Sequence, residues 1–169
     1  MFGLHIIDLQ TAFRDKLKEL MLDENLMEDL DRIYLPMANL IHTGLNVEDK
    51  TQIIGVNGAQ GAGKTTFSAL LKVVLEIQYN MKVVSFSIDD FYLTRADREK
   101  LAQEVHPLLI TRGVPGTHDV HLCEEVISSL CMASPKTETI IPRFNKAVDD
   151  SFPQSQWDSF VGRPNVILF

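Results

Sequence analysis

The sequence has little cysteine, no excess of basic residues and no long apolar run. Its two cysteines, Cys123 and Cys131, are too few among 169 residues for a disulfide framework and lack metal-ligand spacing, so we expect buried thiols. A formal net charge of −7 disfavours nucleic acid or an anionic membrane as a general partner. No apolar run approaches the roughly 20 residues of a membrane helix, and the opening segment MFGLHIIDLQ lacks the basic region of a signal peptide. These absences predict a cytoplasmic protein without a nucleic-acid or membrane partner, and they leave the oligomeric state open.

The first 50 residues show helical periodicity. Apolar side chains recur at helical spacing from residue 4 to about residue 30 and predict one amphipathic helix. They are Leu9, Phe13, Leu17, Leu20 and Met21. A second, short helix is predicted from Pro36, which suits a first turn, to Gly44, a common terminator, and a polar joint at 44–50 follows. We therefore predict that residues 1–50 form an N-terminal helical extension.

From residue 51 onward, predicted strands and helices alternate. Short apolar or β-branched runs predict strands at 51–56, 82–88, 138–142 and 165–169. Helical spacing predicts helices at 65–78, from Thr94 onward, where Asp97 stands in capping-box spacing, and at 119–131. In the first of these helices we expect a buried face of Phe67, Leu70, Leu71, Val74 and Leu75. This alternation is typical of a parallel sheet flanked by helices, so residues 51–169 are predicted to be a single α/β domain.

A glycine-rich segment joins the first predicted strand to the helix that follows it. Gly58, Gly63, Lys64 and Thr65 satisfy the pattern G-x-x-x-x-G-K-[ST]. Glycines let successive amides point inward as an anion nest, and a helix that begins near Gly63 adds its own amides and its positive dipole end. Lys64 can then reach the outer phosphates of a nucleotide, and the Thr65 hydroxyl can ligate Mg²⁺.

The alternative is a tight turn with an exposed lysine, which does not account for the full pattern between a strand and a helix. We therefore predict that a run of consecutive residues binds nucleotide phosphates: Gly58, Ala59, Gln60, Gly61, Ala62, Gly63, Lys64, Thr65 and Thr66. Loops of this kind serve GTPases, motor ATPases and kinases alike, so the loop leaves the acceptor open.

Two aspartates, Asp89 and Asp90, follow the predicted strand at 82–88. Ligands of open α/β sheets bind at the carboxyl ends of the strands, where a carboxylate can accept a proton from an attacking hydroxyl or bind Mg²⁺. Adjacent residues of an extended strand point to opposite faces, so only one of the two should face the phosphates. The alternative is that one or both cap the next turn.

The segment at 106–119 has little periodicity but several polar groups. It contains Arg112, His118 and Asp119, and Arg143 stands at the end of a later predicted strand. Irregular segments often recognise a second substrate, and an arginine can clamp a carboxylate through paired hydrogen bonds. The alternative is that the arginines are solvated and that His118 and Asp119 cap the helix that follows.

Four segments, in this order, resemble the bacterial, plant and fungal D-glycerate 3-kinase family: GVNGAQGAGKTT, SIDDFYLT, VHPLLITRGVPGTHDV and IPRFNKAVDD. That family belongs to a wider group of P-loop kinases that includes uridine kinase, phosphoribulokinase and pantothenate kinase. The resemblance covers roughly residues 34–169 and implies a P-loop NTPase-type fold. It implies that Asp89 is the general base toward the acceptor hydroxyl and that Asp90 supports it. It also implies acceptor contacts by Arg112, His118, Asp119 and Arg143.

The chain departs from the family pattern at three places. Asn145 stands where the family usually has aspartate, and Ser151 stands where an arginine is common. A glutamate-glycine-tryptophan motif and a lid follow the last strand in the family, whereas this sequence ends at Phe169, so the fold is expected to be incomplete at its C-terminal end relative to the family.

The resulting hypothesis is a kinase that transfers the γ-phosphoryl group of ATP, with Mg²⁺ held by Thr65 and Asp89, to a small hydroxy acid, D-glycerate. Lys64 and Asp89 would be the catalytic residues. Three alternatives stay open. One is a related kinase with another acceptor, such as a nucleoside, pantothenate or a sugar acid. Another is a regulatory NTPase that hydrolyses ATP or GTP without an acceptor, which the lack of an NKxD guanine-recognition motif disfavours, and the third is a nucleotide-binding module without turnover.

Overall fold

The computed structural model describes residues 2–44 and 50–169. The helices of these ranges are α1 (Phe2–Glu19), α2 (Leu35–Gly44), α3 (Lys64–Tyr79), α4 (Arg95–Glu104) and α5 (Val120–Met132). The strands are β1 (Gln52–Ile54), β2 (Val83–Ser85), β3 (Glu138–Ile141), β4 (Phe144–Asn145), β5 (Asp150–Ser151), β6 (Asp158–Val161) and β7 (Val166–Leu168). Single turns of 3₁₀-helix lie at Glu24–Met27, Ile88–Phe91, Pro107–Ile110 and Gln154–Gln156, and a π-helical turn lies at Leu30–Tyr34.

The chain forms two compact units. The first consists of the residues up to Ser85 together with Pro164–Phe169 and is called the sheet unit here. The second, Phe86–Arg163, is called the ribbon unit because its strands form two antiparallel ribbons. The sheet unit holds the glycine-rich loop, and the ribbon unit holds Asp89 and the other candidate acceptor residues.

The sheet unit is built on a parallel sheet with the strand order β1-β7-β2. Val166 of β7 is in register with Gln52 of β1 on one side and with Val83 of β2 on the other. The terminal apolar run is therefore the central strand, and its three side chains are fully buried. The predicted α/β fold with a parallel sheet flanked by helices is confirmed.

Helix α3 packs its apolar face into the core of the sheet unit. Leu70, Leu71, Val74 and Leu75 are buried as predicted, whereas Phe67 is half-buried, with its ring stacked on that of Tyr34. The same core contains side chains from α1, α2 and the turn before α2: Leu9, Phe13, Leu17, Leu30, Tyr34, Ala38 and Ile41. The N-terminal helices and the sheet thus share one hydrophobic core.

The prediction of one helix over residues 4 to 30 is wrong, because α1 ends at Glu19. Met21 adopts the left-handed conformation, with φ of 54°, and its N–H donates to the Lys18 carbonyl while the Leu22 N–H donates to the Leu17 carbonyl. These two bonds are those of a Schellman motif, which closes the helix. Met21, expected on the buried face, is consequently 93% exposed. The second predicted helix is confirmed as α2, and residues 45–49 of the predicted joint lie outside the described residues.

The ribbon unit contains α4, α5 and two antiparallel ribbons, β3 with β6 and β4 with β5. Thr94 caps α4 as predicted, because its hydroxyl accepts a hydrogen bond from the Asp97 N–H. Helix α5 is also confirmed; its Cys123 is buried and Cys131 is half-buried. The strand predicted at 138–142 exists as β3, but it pairs with β6 and lies outside the parallel sheet. Among the described residues, no helix has both the length and the apolar character needed to cross a membrane.

Candidate functional site

The glycine-rich loop follows β1 and is organised around the side chain of Lys64. The Lys64 ammonium donates to the carbonyl of Gly58 at 2.8 Å and to that of Ala59 at 3.0 Å. The Ala62 N–H closes a turn on the Ala59 carbonyl. Gly61 and Gly63 both have positive φ, 77° and 81°, which L residues with a side chain rarely adopt. The loop is thus a curled backbone with a single cation folded over it.

The N-terminus of α3 provides amide groups at the end of this loop. Gly63 is the N-cap, and it offers no side chain that could accept a hydrogen bond from the first turn. The first intrahelical bond runs from the Phe67 N–H to the Gly63 carbonyl, so the amides of residues 64–66 precede it and have no partner within the helix. These amides and the positive end of the helix dipole favour an anion. Thr65, at the second position of α3, is exposed.

The aspartates do not lie on an extended strand, and our expectation that they point to opposite faces of one is wrong. Strand β2 ends at Ser85, and Ile88–Phe91 is a turn of 3₁₀-helix. The Ser87 hydroxyl accepts from the Asp89 N–H, and the Ser87 N–H donates to Asp90 Oδ2 at 2.9 Å. This capping box satisfies amides at the start of the turn, which explains why the strand stops here. Asp90 therefore has the capping role that the sequence offered as an alternative.

Asp89 has its carboxylate paired with a lysine from a distant segment. Lys146 Nζ lies 2.6 Å from Asp89 Oδ2. Burial by itself raises the pKa of the Asp89 carboxyl, but the hydrogen bond and charge of Lys146, together with the Tyr92 hydroxyl and the charge of His118, outweigh it and lower that pKa. Asp89 is consequently ionised at neutral pH, as a general base must be.

Arg112 is held by the turn at 145–150 rather than being solvated. Its Nη1 lies 2.7 Å from Asp149 Oδ1 and donates to the carbonyl of Lys146 at 3.1 Å. Asp149 also forms an ion pair with Arg98. Burial by itself raises the pKa of the Asp149 carboxyl, but the hydrogen bonds and charges of these two arginines outweigh that effect and lower the pKa.

His118 and Asp119 stand at the start of α5. The Asp119 carboxylate caps this helix by accepting from the Leu122 N–H at 2.9 Å, again the structural role offered as an alternative. The His118 ring stacks on Tyr92 with 4.2 Å between ring centroids. Its Nε2 atom is buried and finds no hydrogen-bond partner among the described residues. Burial lowers the pKa of His118, and the nearby Asp89 charge opposes that shift without cancelling it.

Arg143 lies beside a surface cleft of about 400 Å³ within the ribbon unit. Its Nη1 is 3.2 Å from Asp90 Oδ2, and its Nε is 2.9 Å from Asp158 Oδ2. The cleft is lined by Asp90, Arg143, Phe144, Phe152, Gln156 and Asp158. The ribbon unit thus brings Asp89 and Asp90 into contact with basic side chains from the segment at 143–146.

The chain is similar to several kinases. It is 38% identical over 137 residues to the uncharacterized kinase mug58 of Schizosaccharomyces pombe, an alignment that covers 78% of this chain and 49% of that protein. It is 36% identical over 98 residues to the probable ATP-dependent kinase TDA10 of Saccharomyces cerevisiae, covering 54% of this chain and 34% of that protein. Among solved structures, a D-glycerate 3-kinase from Cryptococcus neoformans superposes with a TM-score of 0.67 at 28% identity, over 81% of this chain and 51% of that chain.

The chain belongs to a P-loop kinase family related to glycerate kinase. It spans about half the length of the mug58 protein and of the Cryptococcus enzyme. No protein-family model matches the sequence.

Three residues of the site were not predicted from the sequence. Lys146, Arg98 and Asp149 form the contacts that surround Asp89 and Arg112. Lys146 and Asp149 lie within the segment IPRFNKAVDD, which resembles the glycerate kinases. The resemblance identified the segment but assigned no role to these two charged residues. Arg98 sits in a helix with many exposed charged residues and had no sequence feature that set it apart.

The residues predicted to hold magnesium are Thr65 and Asp89. In the part of the chain that the structure describes, no cluster of three or more His, Cys, Asp or Glu side chains could hold a metal ion by itself. Magnesium that arrives on nucleotide phosphates needs only one or two protein oxygens, and the exposed Thr65 hydroxyl is an oxygen of the required kind. The residues present therefore fit this ion, with Thr65 as the stronger candidate because Asp89 Oδ2 is already paired with Lys146.

Proposed function

We propose that this chain is an ATP-dependent kinase that transfers the γ-phosphoryl group to a hydroxyl of a small hydroxy acid, D-glycerate. The observation that carries the proposal is the phosphate loop, in which Lys64, the left-handed Gly63 and the N-terminal amides of α3 converge. Membership of a P-loop kinase family supports phosphoryl transfer rather than simple hydrolysis. The similarity to a D-glycerate 3-kinase at 28% identity supports the choice of acceptor.

On the donor side, the residues of the loop would bind and orient the triphosphate. Lys64 would exchange two neutral carbonyl contacts for the charged phosphate oxygens, and the amides of residues 64–66 would donate to the same group. Thr65 would hold Mg²⁺, which supplies neutralisation of the charge that develops on the phosphates.

On the acceptor side, Asp89 would take the proton of the attacking hydroxyl. Its lowered pKa keeps it ionised and ready to accept that proton. Asp90 would support this position by fixing the 3₁₀ turn that carries Asp89. Arg112 and Arg143 would bind the acid group of the acceptor, and His118, whose ring stacks on Tyr92, would contact the same substrate. Asp119 would act through the start of α5, which it caps.

The proposal is tested by calorimetry with ATP and Mg²⁺, followed by an assay of ADP release with D-glycerate, pantothenate, uridine and sugar acids. We expect ATP binding and glycerate-dependent release of ADP. Release with another acceptor alone would reassign the substrate, and ATP binding without any acceptor-dependent release would make the chain a nucleotide-binding module.

The variant Asp89→Asn separates the proposed base from the phosphate loop. It should lose about 10²- to 10⁴-fold in turnover, the usual contribution of a positioned base, while its affinity for ATP stays within about twofold. The matched control is Asp31→Asn, an exposed aspartate of the N-terminal region. Turnover of Asp89→Asn within about threefold of the control would contradict the assignment of the base.

A further inference from the structure

The ion pair between Lys146 and Asp89 differs from the other lysine ion pairs of the described residues. Those pairs join Lys16 with Glu19, Lys72 with Glu76, and Lys100 with Glu104, three or four positions apart. Lys146 and Asp89 are 57 positions apart, so their contact depends on the tertiary fold of the ribbon unit. Their side chains are 59% and 34% exposed, and an exposed pair of this kind contributes little to stability. A contribution to stability therefore does not by itself explain why Lys146 and Asp89, which are distant in sequence, are in contact.

The backbone that carries Lys146 is supported by hydrogen bonds within its own segment. Strands β4 and β5 pair Phe144 with Ser151 and Asn145 with Asp150 on either side of the turn. The Asn145 Oδ1 atom accepts from the Ala147 N–H at 3.0 Å, which orients the peptide that follows Lys146. An asparagine oxygen serves this purpose as well as a carboxylate oxygen would, so the residue that departs from the glycerate-kinase pattern still fits the turn.

Arg98 fixes this turn from inside the ribbon unit. It is fully buried, and Nη2 donates to the Asp149 carbonyl at 2.6 Å. Its other nitrogens donate to the carbonyls of Ile110 at 2.8 Å and Leu93 at 3.2 Å. A buried guanidinium is costly to desolvate unless its hydrogen bonds are satisfied, and here they join three separate segments. The turn at 145–150 is thus anchored to the start of α4 and to the irregular segment before α5.

Arg112 provides a second anchor on the same turn. It donates to the carbonyl of Lys146 itself and pairs with the Asp149 carboxylate. The backbone of Lys146 is therefore held by one arginine at its own carbonyl and by another through Asp149, three residues further along the chain. This anchored turn carries Lys146, whose side chain contacts Asp89.

We propose that Lys146 is a positioning residue for phosphoryl transfer, which orients the Asp89 carboxylate toward the acceptor hydroxyl through its contact with Oδ2 at 2.6 Å. The inference rests on the proposed function, because it assigns Asp89 the role of base. Arg98 and Arg112 serve the same end by fixing the turn on which Lys146 stands.

The contact is tested first without reference to activity. The NMR signal of the Asp89 side-chain carboxyl carbon is recorded at pH 7 in the wild-type chain, in Lys146→Met and in the control Lys100→Met, and it is assigned by its loss in Asp89→Asn. We expect the signal to shift in Lys146→Met and to stay in place in Lys100→Met, which removes an exposed lysine of α4. A signal that stays in place in both variants overturns the contact.

The positioning role is tested by kinetics on the same variants. Lys146→Met should reduce kcat on the order of 10- to 100-fold with the KM for ATP unchanged, since a misplaced reacting group has about that effect. Lys146→Arg, which can still pair with Asp89, should recover most of the loss. A shifted carboxyl signal with kcat equal to that of Lys100→Met overturns the role. If the wild-type chain shows no acceptor-dependent turnover, the proposed function and the role of Lys146 both fail. If the wild type turns over and only the expected loss in Lys146→Met is missing, the role of Lys146 fails and the proposed function stands.

Discussion

The glycine-rich loop of the sheet unit and the candidate acceptor residues of the ribbon unit hold their charges in different ways. The loop is nine consecutive residues, all exposed or half-buried, and its one cation contacts only the neutral carbonyls of Gly58 and Ala59. In the ribbon unit, Asp89, Asp90, Arg112 and Arg143 are each paired with an opposite charge. In these three pairs the partners lie 37 to 57 positions apart along the chain, and Arg143 also pairs with the nearer Asp158.

The difference implies two kinds of binding. In the proposed kinase, a phosphate that enters the loop would give the Lys64 ammonium an anionic acceptor in place of two uncharged carbonyls, so the exchange would favour the ligand. An acid that bound Arg112 would compete with Asp149, and one that bound Arg143 would compete with Asp90 and Asp158, so part of its interaction energy would be lost in weakening those pairs. We therefore expect tight binding of the nucleotide and weaker, more selective binding of the acceptor.

The largest loss of stability is expected from Arg98→Met, which tests how far the folding of the ribbon unit depends on its buried arginine. The variant keeps the apolar stem but leaves the carbonyls of Leu93, Ile110 and Asp149 without their donor. Removing one partner from a buried charged network typically costs about 3–5 kcal/mol. We expect the free energy of unfolding to fall by about that amount in urea, measured by the fluorescence of Trp157, which lies in the ribbon unit.

The matched control is Arg95→Met, one turn earlier on the same helix. Arg95 is exposed and pairs with Glu99 within α4, an arrangement that contributes about 0.3–0.5 kcal/mol. Equal losses in the two variants would show that the burial of Arg98 has no special role, and the contrast between the two units would then weaken.

The shape of the glycine-rich loop could be predicted from the sequence because it depends on neighbouring residues. The spacing of Gly58, Gly63, Lys64 and Thr65 is itself the condition for a curled loop that leads into a helix. The parallel sheet could also be predicted, since its strands and helices alternate along the chain. The end of α1 was predicted wrongly for a physical reason as well. Its C-terminal left-handed position is occupied by Met21, whereas a glycine there would have indicated the end of the helix.

The ribbon unit was less predictable because its contacts form between distant segments. The pair of Lys146 with Asp89 and the pair of Arg112 with Asp149 depend on how 3₁₀ turns and two-residue strands fold together. Neither feature has a strong periodic pattern. The extension of the strand from Ser85 to Ile88 was predicted from β-branched residues, but the capping box of Ser87 and Asp90 overrode that local preference.

Lys64→Ala tests the sheet-unit side of the comparison and should have the next largest effect. Loss of a charged donor aimed at the phosphates is expected to reduce turnover on the order of 10²-fold and to weaken ATP binding in calorimetry. The free energy of unfolding should change little, because the lysine contacts only carbonyls of its own exposed loop. Lys72→Ala, further along α3 and paired with Glu76 on the surface, is the control that should retain activity. Turnover equal to that of this control would remove the phosphate loop from the mechanism.

Gly63→Ala should destabilise the chain less than Arg98→Met does, and it tests whether the backbone of the loop matters independently of its lysine. Gly63 has φ of 81°, and a methyl group added there would meet no atom within 4 Å. The cost therefore comes from the left-handed conformation alone and should be about 1–2 kcal/mol in the free energy of unfolding, followed by circular dichroism.

Gly55, in the same connection, also has open space around it but lacks a positive φ. Gly55→Ala should consequently stabilise the chain, by about 0.4–1 kcal/mol, because alanine restricts the unfolded state. If the free energy of unfolding falls in Gly63→Ala and rises in Gly55→Ala, the backbone strain lies at the start of α3, where the amides proposed to bind the phosphate begin. ATP affinity should then fall only in Gly63→Ala, since relief of the strain turns those amides. Equal effects of the two substitutions on stability and on ATP affinity would mean that the loop binds through Lys64 alone, and the backbone cradle would have to be abandoned.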